Sequence, residues 1–168
     1  QKVEKLISGK VYNTDLTNPA GIDVGSDGKL YVSDRDNNRV FSMFDGKYNM
    51  LVDRTSTVKI DHPTSIRVLD NGSIAVLCEG DQSIRSISDR GRISTILNPG
   101  VIEGMKDIAI DNKGDLYVVS RYLGQVFKVV GSDKVELVAG AKKGTGLRGN
   151  GITAKEAELF DPIAIDFD

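Results

Sequence analysis

Apolar residues in this chain alternate with polar ones or run in blocks of four to six, rich in Val, Ile and Tyr, between short Gly, Asp and Asn turns. Residues 18–41, "NPAGIDVGSDGKLYVSDRDNNRVF", show the unit: a proline lead-in, an apolar run, a glycine turn, a second run, a polar loop and a third run. The unit recurs. Ile22 falls on Ile66 after a step of 44 and on Ile108 after a further 42. In that register, without gaps, Gly28 meets Gly72 and Gly114, Leu30 meets Ile74 and Leu116, Val32 meets Val76 and Val118, and Val40 meets Ile84 and Val126. The lead-ins "NPAGI", "HPTSI" and "GMKDI" correspond, and a fourth copy opens at "DPIAIDFD" with Ile165 at the anchor position.

No copy sustains helical periodicity for a dozen residues, and "GSDGK", "LDNGS" and "DNKGD" supply residues that tolerate positive φ in hairpin turns. The pattern predicts four antiparallel strands per copy, over residues 21–24, 30–33, 39–44 and 48–52 in the first. Four strands in about 40–45 residues is the signature of a propeller blade. Radial stacking explains apolar residues at both strand parities, which a β-sandwich of coincidental spacing would not.

The expected fold is therefore all-β, a partial arc of a propeller with three complete four-stranded blades and flanking strands. Residues 1–10 read as the outer strand of a preceding blade, because "KVEKLISG" resembles "KVELVAG" of the third copy. Residues 18–53, 62–98 and 104–140 read as blades, 141–161 as a glycine-rich linker and 162–168 as the first strand of a next blade. Two apolar end faces would then be left for the rest of a propeller, or a second copy, to cover.

Composition narrows the chemistry. The 168 residues are 39% apolar and 27% charged, with a net charge of −2, so no broad positive field favours nucleic acid. No apolar run approaches the roughly 18 residues that cross a bilayer. One cysteine and one histidine exclude an internal disulfide and a cysteine-built zinc cluster, and leave little for a catalytic triad. Neither metal nor cofactor is called for.

Residues 18–41 resemble an NHL repeat, with proline before the first strand, "LYVSD" in the second and "NNRV" opening the third. Residues 139–166, "AGAKKGTGLRGNGITAKEAELFDPIAID", are similar to the glycine-rich linker of bacterial NHL proteins, in Gly149–Gly151, Thr153, Ala154, Ala157, Leu159 and Pro162. Copies two and three depart from the pattern, placing Cys78, Gln82 and Ser83, then Ser120, Gly124 and Gln125, where copy one has Asp34, Asn38 and Arg39. The resemblance implies a parent of six blades, binding of protein, peptide, glycan or RNA, and a bacterial source with a secreted or cell-surface location.

The candidate site is the rim that gathers the loops between second and third strands and the linkers between blades. Its residues are Arg35, Glu79 and Arg121, at one position of three copies, with Tyr122, Lys142 and Arg148. Arginine beside tyrosine suits carboxylate, phosphate or planar groups; the plainer reading is of solvated loop charges or arginines bridging blades. The glycines around Lys142, Lys143 and Arg148 lack the strand–loop–helix context of a phosphate loop. "TAKEAEL" reads as one or two helical turns capped by Thr153, with Glu156 three residues on. His62 is expected to cap its lead-in turn, Cys78 to pack, and Asp23 to pair with Arg67 across blades.

Three functions follow. The first is a binding or scaffolding module whose rim meets a protein, peptide or glycan. The alternative is part of a metal-dependent propeller enzyme, lactonase- or lyase-like; Asp23, Arg67, Ala109 and Asp166 at its channel positions make a poor metal cage. The third is RNA binding, for which Arg35, Arg121, Tyr122, Lys142, Lys143 and Arg148 are diluted by Asp34, Asp36, Glu79 and Asp81.

Overall fold

The computed structural model describes residues 16–141 and 150–168. Its strands are β1 (Pro19–Val24), β2 (Leu30–Asp34), β3 (Arg39–Phe44), β4 (Lys47–Val52), β5 (Pro63–Val68), β6 (Ile74–Cys78), β7 (Ser83–Ile87), β8 (Ile93–Leu97), β9 (Met105–Ile110), β10 (Leu116–Ser120), β11 (Gln125–Gly131) and β12 (Lys134–Ala139). They form three four-stranded antiparallel sheets in chain order, β1–β4, β5–β8 and β9–β12. Apart from one 3-10 turn over Arg35–Asn37, no helix occurs among the described residues.

The repeat becomes a register. Ile22 pairs with Val32 and Val32 with Phe41; Ile66 with Val76 and Val76 with Arg85; Ile108 with Val118 and Val118 with Phe127. The turns repeat as well: Gly28, Gly72 and Gly114 have φ of 79°, 76° and 80°, the left-handed region where glycine is unstrained.

Blade stacking makes the core. All of β6 is buried. Ile74, Val76 and Cys78 face blade 1, in a cluster with Tyr31, Val40, Val52 and Ile66. Ala75 and Leu77 face blade 3, with Ile84, Leu97, Met105, Ile108 and Val118. Both parities are buried because a neighbouring sheet covers each face. Blades 1 and 2 approach so closely that a Cβ on Gly21 would lie 1.9 Å from the Thr64 carbonyl oxygen. Ser33 Oγ uses that gap, accepting from Gly21 N–H at 2.8 Å and donating to Thr64 O at 2.7 Å.

Residues 162–168, expected as a first strand, form no ladder among the described residues. They are held by the Ile165 N–H, which donates to Asp107 Oδ2 at 3.1 Å, and by the Phe167 ring, 4.7 Å from that of Tyr117. A strand needs a second strand to pair with, and this segment lies against a blade that already has four. "TAKEAEL" makes one turn, the shorter of the two expected lengths, with the expected cap: Glu156 and Ala157 N–H donate to Thr153 O, and Thr153 Oγ1 donates to Glu156 Oε2 at 2.8 Å. Bonds from Gly140 N–H to Ala154 O and from Ala141 N–H to Ala157 O tie that turn to the end of β12. The expected strand over residues 1–10 lies outside the described residues.

Candidate functional site

The rim is built from one backbone bond repeated in each blade. Arg35 N–H donates to Asn18 O, Glu79 N–H to His62 O and Arg121 N–H to Gly104 O. Each bond joins the end of a second strand to the residue leading into its own first strand, so Arg35, Glu79 and Arg121 share one rim. The next turn position is left-handed in every blade, at Asn38 (φ 51°), Gln82 (φ 53°) and Gly124 (φ 65°).

These turns reach forward. Asn38 Oδ1 accepts the His62 N–H, and Gln82 Oε1 accepts the Met105 N–H, both at 2.8 Å. Asp34, fully buried, accepts N–H groups of Thr17 and Asn18, the Asn37 amide, and Arg39 Nη2 at 2.5 Å. Burial alone would raise the Asp34 pKa, but the Asn18 N–H and the Arg39 and Asn37 side chains outweigh it and hold the carboxyl below its ordinary value.

The predicted charges are joined rather than presented. Arg35 Nε donates to Glu79 Oε2 at 3.2 Å and Nη1 to Asp36 at 2.9 Å. Lys106 of blade 3 pairs with the other Glu79 oxygen. The Lys106 ammonium foremost, helped by Arg35, holds the Glu79 carboxyl below the usual carboxylate range despite partial burial. Arg121 grips Asp161 in a two-pronged pair, with Nη2–Oδ2 at 3.0 Å. Arg35 is thus a blade-bridging arginine, and Arg121 fastens the last linker to blade 3. Lys142 and Arg148 lie outside the described residues, so the grouping of Arg148 with the other arginines does too.

The sequence missed Lys106 and Asp161 as partners. Their positions repeat, two residues before Ile108 and four before Ile165, but nothing in a single copy says which neighbour's rim they reach. It also missed Phe160. Tyr122 and Phe160, each beside a member of the Arg121–Asp161 pair, are 62% and 79% exposed. Gly104 sits under Tyr122: a Cβ there would lie 2.2 Å from the Tyr122 Cβ.

The remaining candidates resolve simply. His62 has φ of 48° and its Nδ1 is 2.7 Å from Asp61 Oδ1. Cys78 is wholly buried, and burial pushes its thiol up to about 12, so it is no nucleophile. Asp23 does not pair with Arg67. Its Oδ2 accepts the Val68 N–H at 2.7 Å, while Arg67 Nη2 lies 3.7 Å from Asp107. Among the described residues no group of three His, Cys, Asp or Glu is placed to hold a metal ion.

Three stacked four-stranded meanders define an arc of a β-propeller. The NHL repeat model matches residues 16–41, within blade 1 and its lead-in. No curated protein matches it in sequence. Among solved structures, a structural genomics protein of unknown function from Bacteroides thetaiotaomicron is similar over 89% of this chain and 42% of its own, at 14% identity and a TM-score of 0.68. Virginiamycin B lyase from Staphylococcus aureus, solved with quinupristin, is similar over 71% of this chain and 40% of its own, at 20% identity and TM-score 0.59. A gluconolactonase from Xanthomonas campestris is similar over 73% and 48%, at 15% identity and TM-score 0.57. The chain thus spans less than half the length of each of these three.

Proposed function

We propose that the chain is a binding module whose linker rim receives a protein or peptide segment. The observation that carries this reading is the exposed pair Tyr122 and Phe160 flanking the Arg121–Asp161 bridge. Large aromatics held out from a rigid polar rim are what recognition surfaces use, since they bury much area on binding while losing little side-chain freedom. Because Arg35 and Arg121 each face a carboxylate, the rim favours a ligand with both apolar and hydrogen-bonding groups over a simple anion.

The reading of the chain as part of a metal-dependent lyase or lactonase has neighbours of those names, but at 15–20% identity they speak for the fold alone.

Peptides selected from a random library on the chain provide the test. Tyr122→Ser and Phe160→Ser should each weaken the selected peptides by about 1.5–3 kcal/mol, as loss of an aromatic anchor does. Selected peptides that bind both variants as well as the parent, or a rim that takes only glycans on an array, would overturn the reading.

A further inference from the structure

The inner strands run from the linker rim to the hairpin rim, so their last residues gather at the opposite mouth of the channel. There a pocket of about 460 Å³ is lined by Ile22, Asp23, Arg67, Val68, Ile110 and Asp166. Asp23, Arg67 and Asp166 occupy the same position of the first, second and fourth copies, at the ends of β1 and β5 and in the final segment.

The chemistry of this mouth is mixed. Arg67 Nη1 donates to Ile66 O at 2.8 Å, while its Nη2 lies 3.7 Å from Asp107, beyond hydrogen-bond length. Most of the guanidinium fork therefore keeps donors for a ligand. Asp23 is fixed by two backbone donors, Val24 N–H on Oδ1 at 2.9 Å and Val68 N–H on Oδ2 at 2.7 Å, and each oxygen retains a further lone pair. Asp166 takes the Phe167 N–H on Oδ1 alone, at 3.0 Å. Ile22, Val68 and Ile110 supply apolar walls.

Two carboxylates against one guanidinium repel an anion, and the guanidinium repels a bare cation. A ligand that both donates and accepts hydrogen bonds, carries no charge and has an apolar C–H face satisfies every group present. We propose that the hairpin-rim mouth of the channel is a second binding site, taking a neutral polyhydroxy ligand of the class of free sugars. Arg67 would donate to ring or hydroxyl oxygens, Asp23 and Asp166 would accept from hydroxyls, and the sugar's C–H face would rest on the isoleucines and valine.

The test is saturation-transfer NMR and calorimetry of the chain with glucose, galactose and mannose. At least one should bind. Arg67→Ala and Asp166→Asn should each weaken it about tenfold or more, as loss of a charged hydrogen bond does, and Tyr122→Ser should leave it unchanged. Arg67 also faces Asp107 of the next blade, whereas Asp166 bonds only its neighbour's N–H; Asp166→Asn therefore keeps the test decisive if Arg67→Ala fails to fold. Absence of saturation transfer from all three sugars overturns the proposal, as does unchanged affinity in Asp166→Asn. So does displacement by inorganic phosphate or glycine at lower concentration than the sugar. Because the two sites sit at opposite rims, none of these outcomes bears on the peptide reading.

Discussion

Asp34 concentrates four donors on one buried carboxylate, and this makes it the residue whose protonation the fold feels most directly. Its pKa is lowered in the folded chain, so its stabilisation is complete above the unfolded value of about 3.9 and is lost as pH falls through the folded value. Asp34→Asn should cost about 1.5–3 kcal/mol at pH 7, because a charged acceptor of several hydrogen bonds is replaced by a neutral amide. The difference between parent and variant should shrink once the pH drops below about 3.9. Urea denaturation at pH 7 and at pH 3 checks both expectations. At the equivalent positions Cys78 and Ser120 show that the site tolerates other chemistry when its neighbours differ. Ser120 Oγ donates to Glu103 O at 2.6 Å and accepts the Leu123 N–H at 3.0 Å, which links the same two loops without charge.

At the scale of the element, the second-to-third-strand turn works as a clasp. Asn38 and Gln82 hold left-handed backbone and pass a side-chain acceptor to the next blade. Asn38→Ala should lose about 1–3 kcal/mol, from an orphaned His62 N–H and because alanine tolerates left-handed backbone less well than asparagine. Asn38→Gly orphans the same N–H but adopts positive φ without strain, so it should be the milder of the two in thermal melts. Strands and turns were legible in the sequence because each is encoded within a few residues: the period of two, the glycine turns, and the spacing from Ile22 to Val40. The expected strand over 48–52 needed only Lys47 added, and that over 21–24 only Pro19 and Ala20. The site was legible as a register and not as chemistry. Arg35, Glu79 and Arg121 were aligned correctly, but their partners Lys106 and Asp161 come from other copies, and pairing depends on the rotation between stacked sheets.

For the whole molecule, the two ends of the arc are not equivalent to its middle. Ile66 and Ile108 are fully buried, while Ile22 at the same position is 57% exposed, as is Val24. Exposed β-branched residues on a flat sheet face drive association. The chain should therefore show a mass that rises with concentration in light scattering, and Ile22→Ser with Val24→Ser should shift it toward the monomer. A parent chain that stays monomeric throughout would mean that this face is too small to matter.

The forward-reaching bonds between blades also set an order in time. Asn38, Ser33 and Asp23 each meet a residue of blade 2 or its lead-in that follows them, and Gln82 and Ser65 do the same for blade 3, at separations of 23 to 45 positions. Every strand pairing among the described residues, moreover, closes through a hairpin. A chain wired only to its immediate successor can complete one blade, then use its finished face as the template for the next, with little loop entropy lost at each step. Such a protein is suited to folding from its first residues onward as it leaves the ribosome, each blade guarding its apolar face only until the next one arrives.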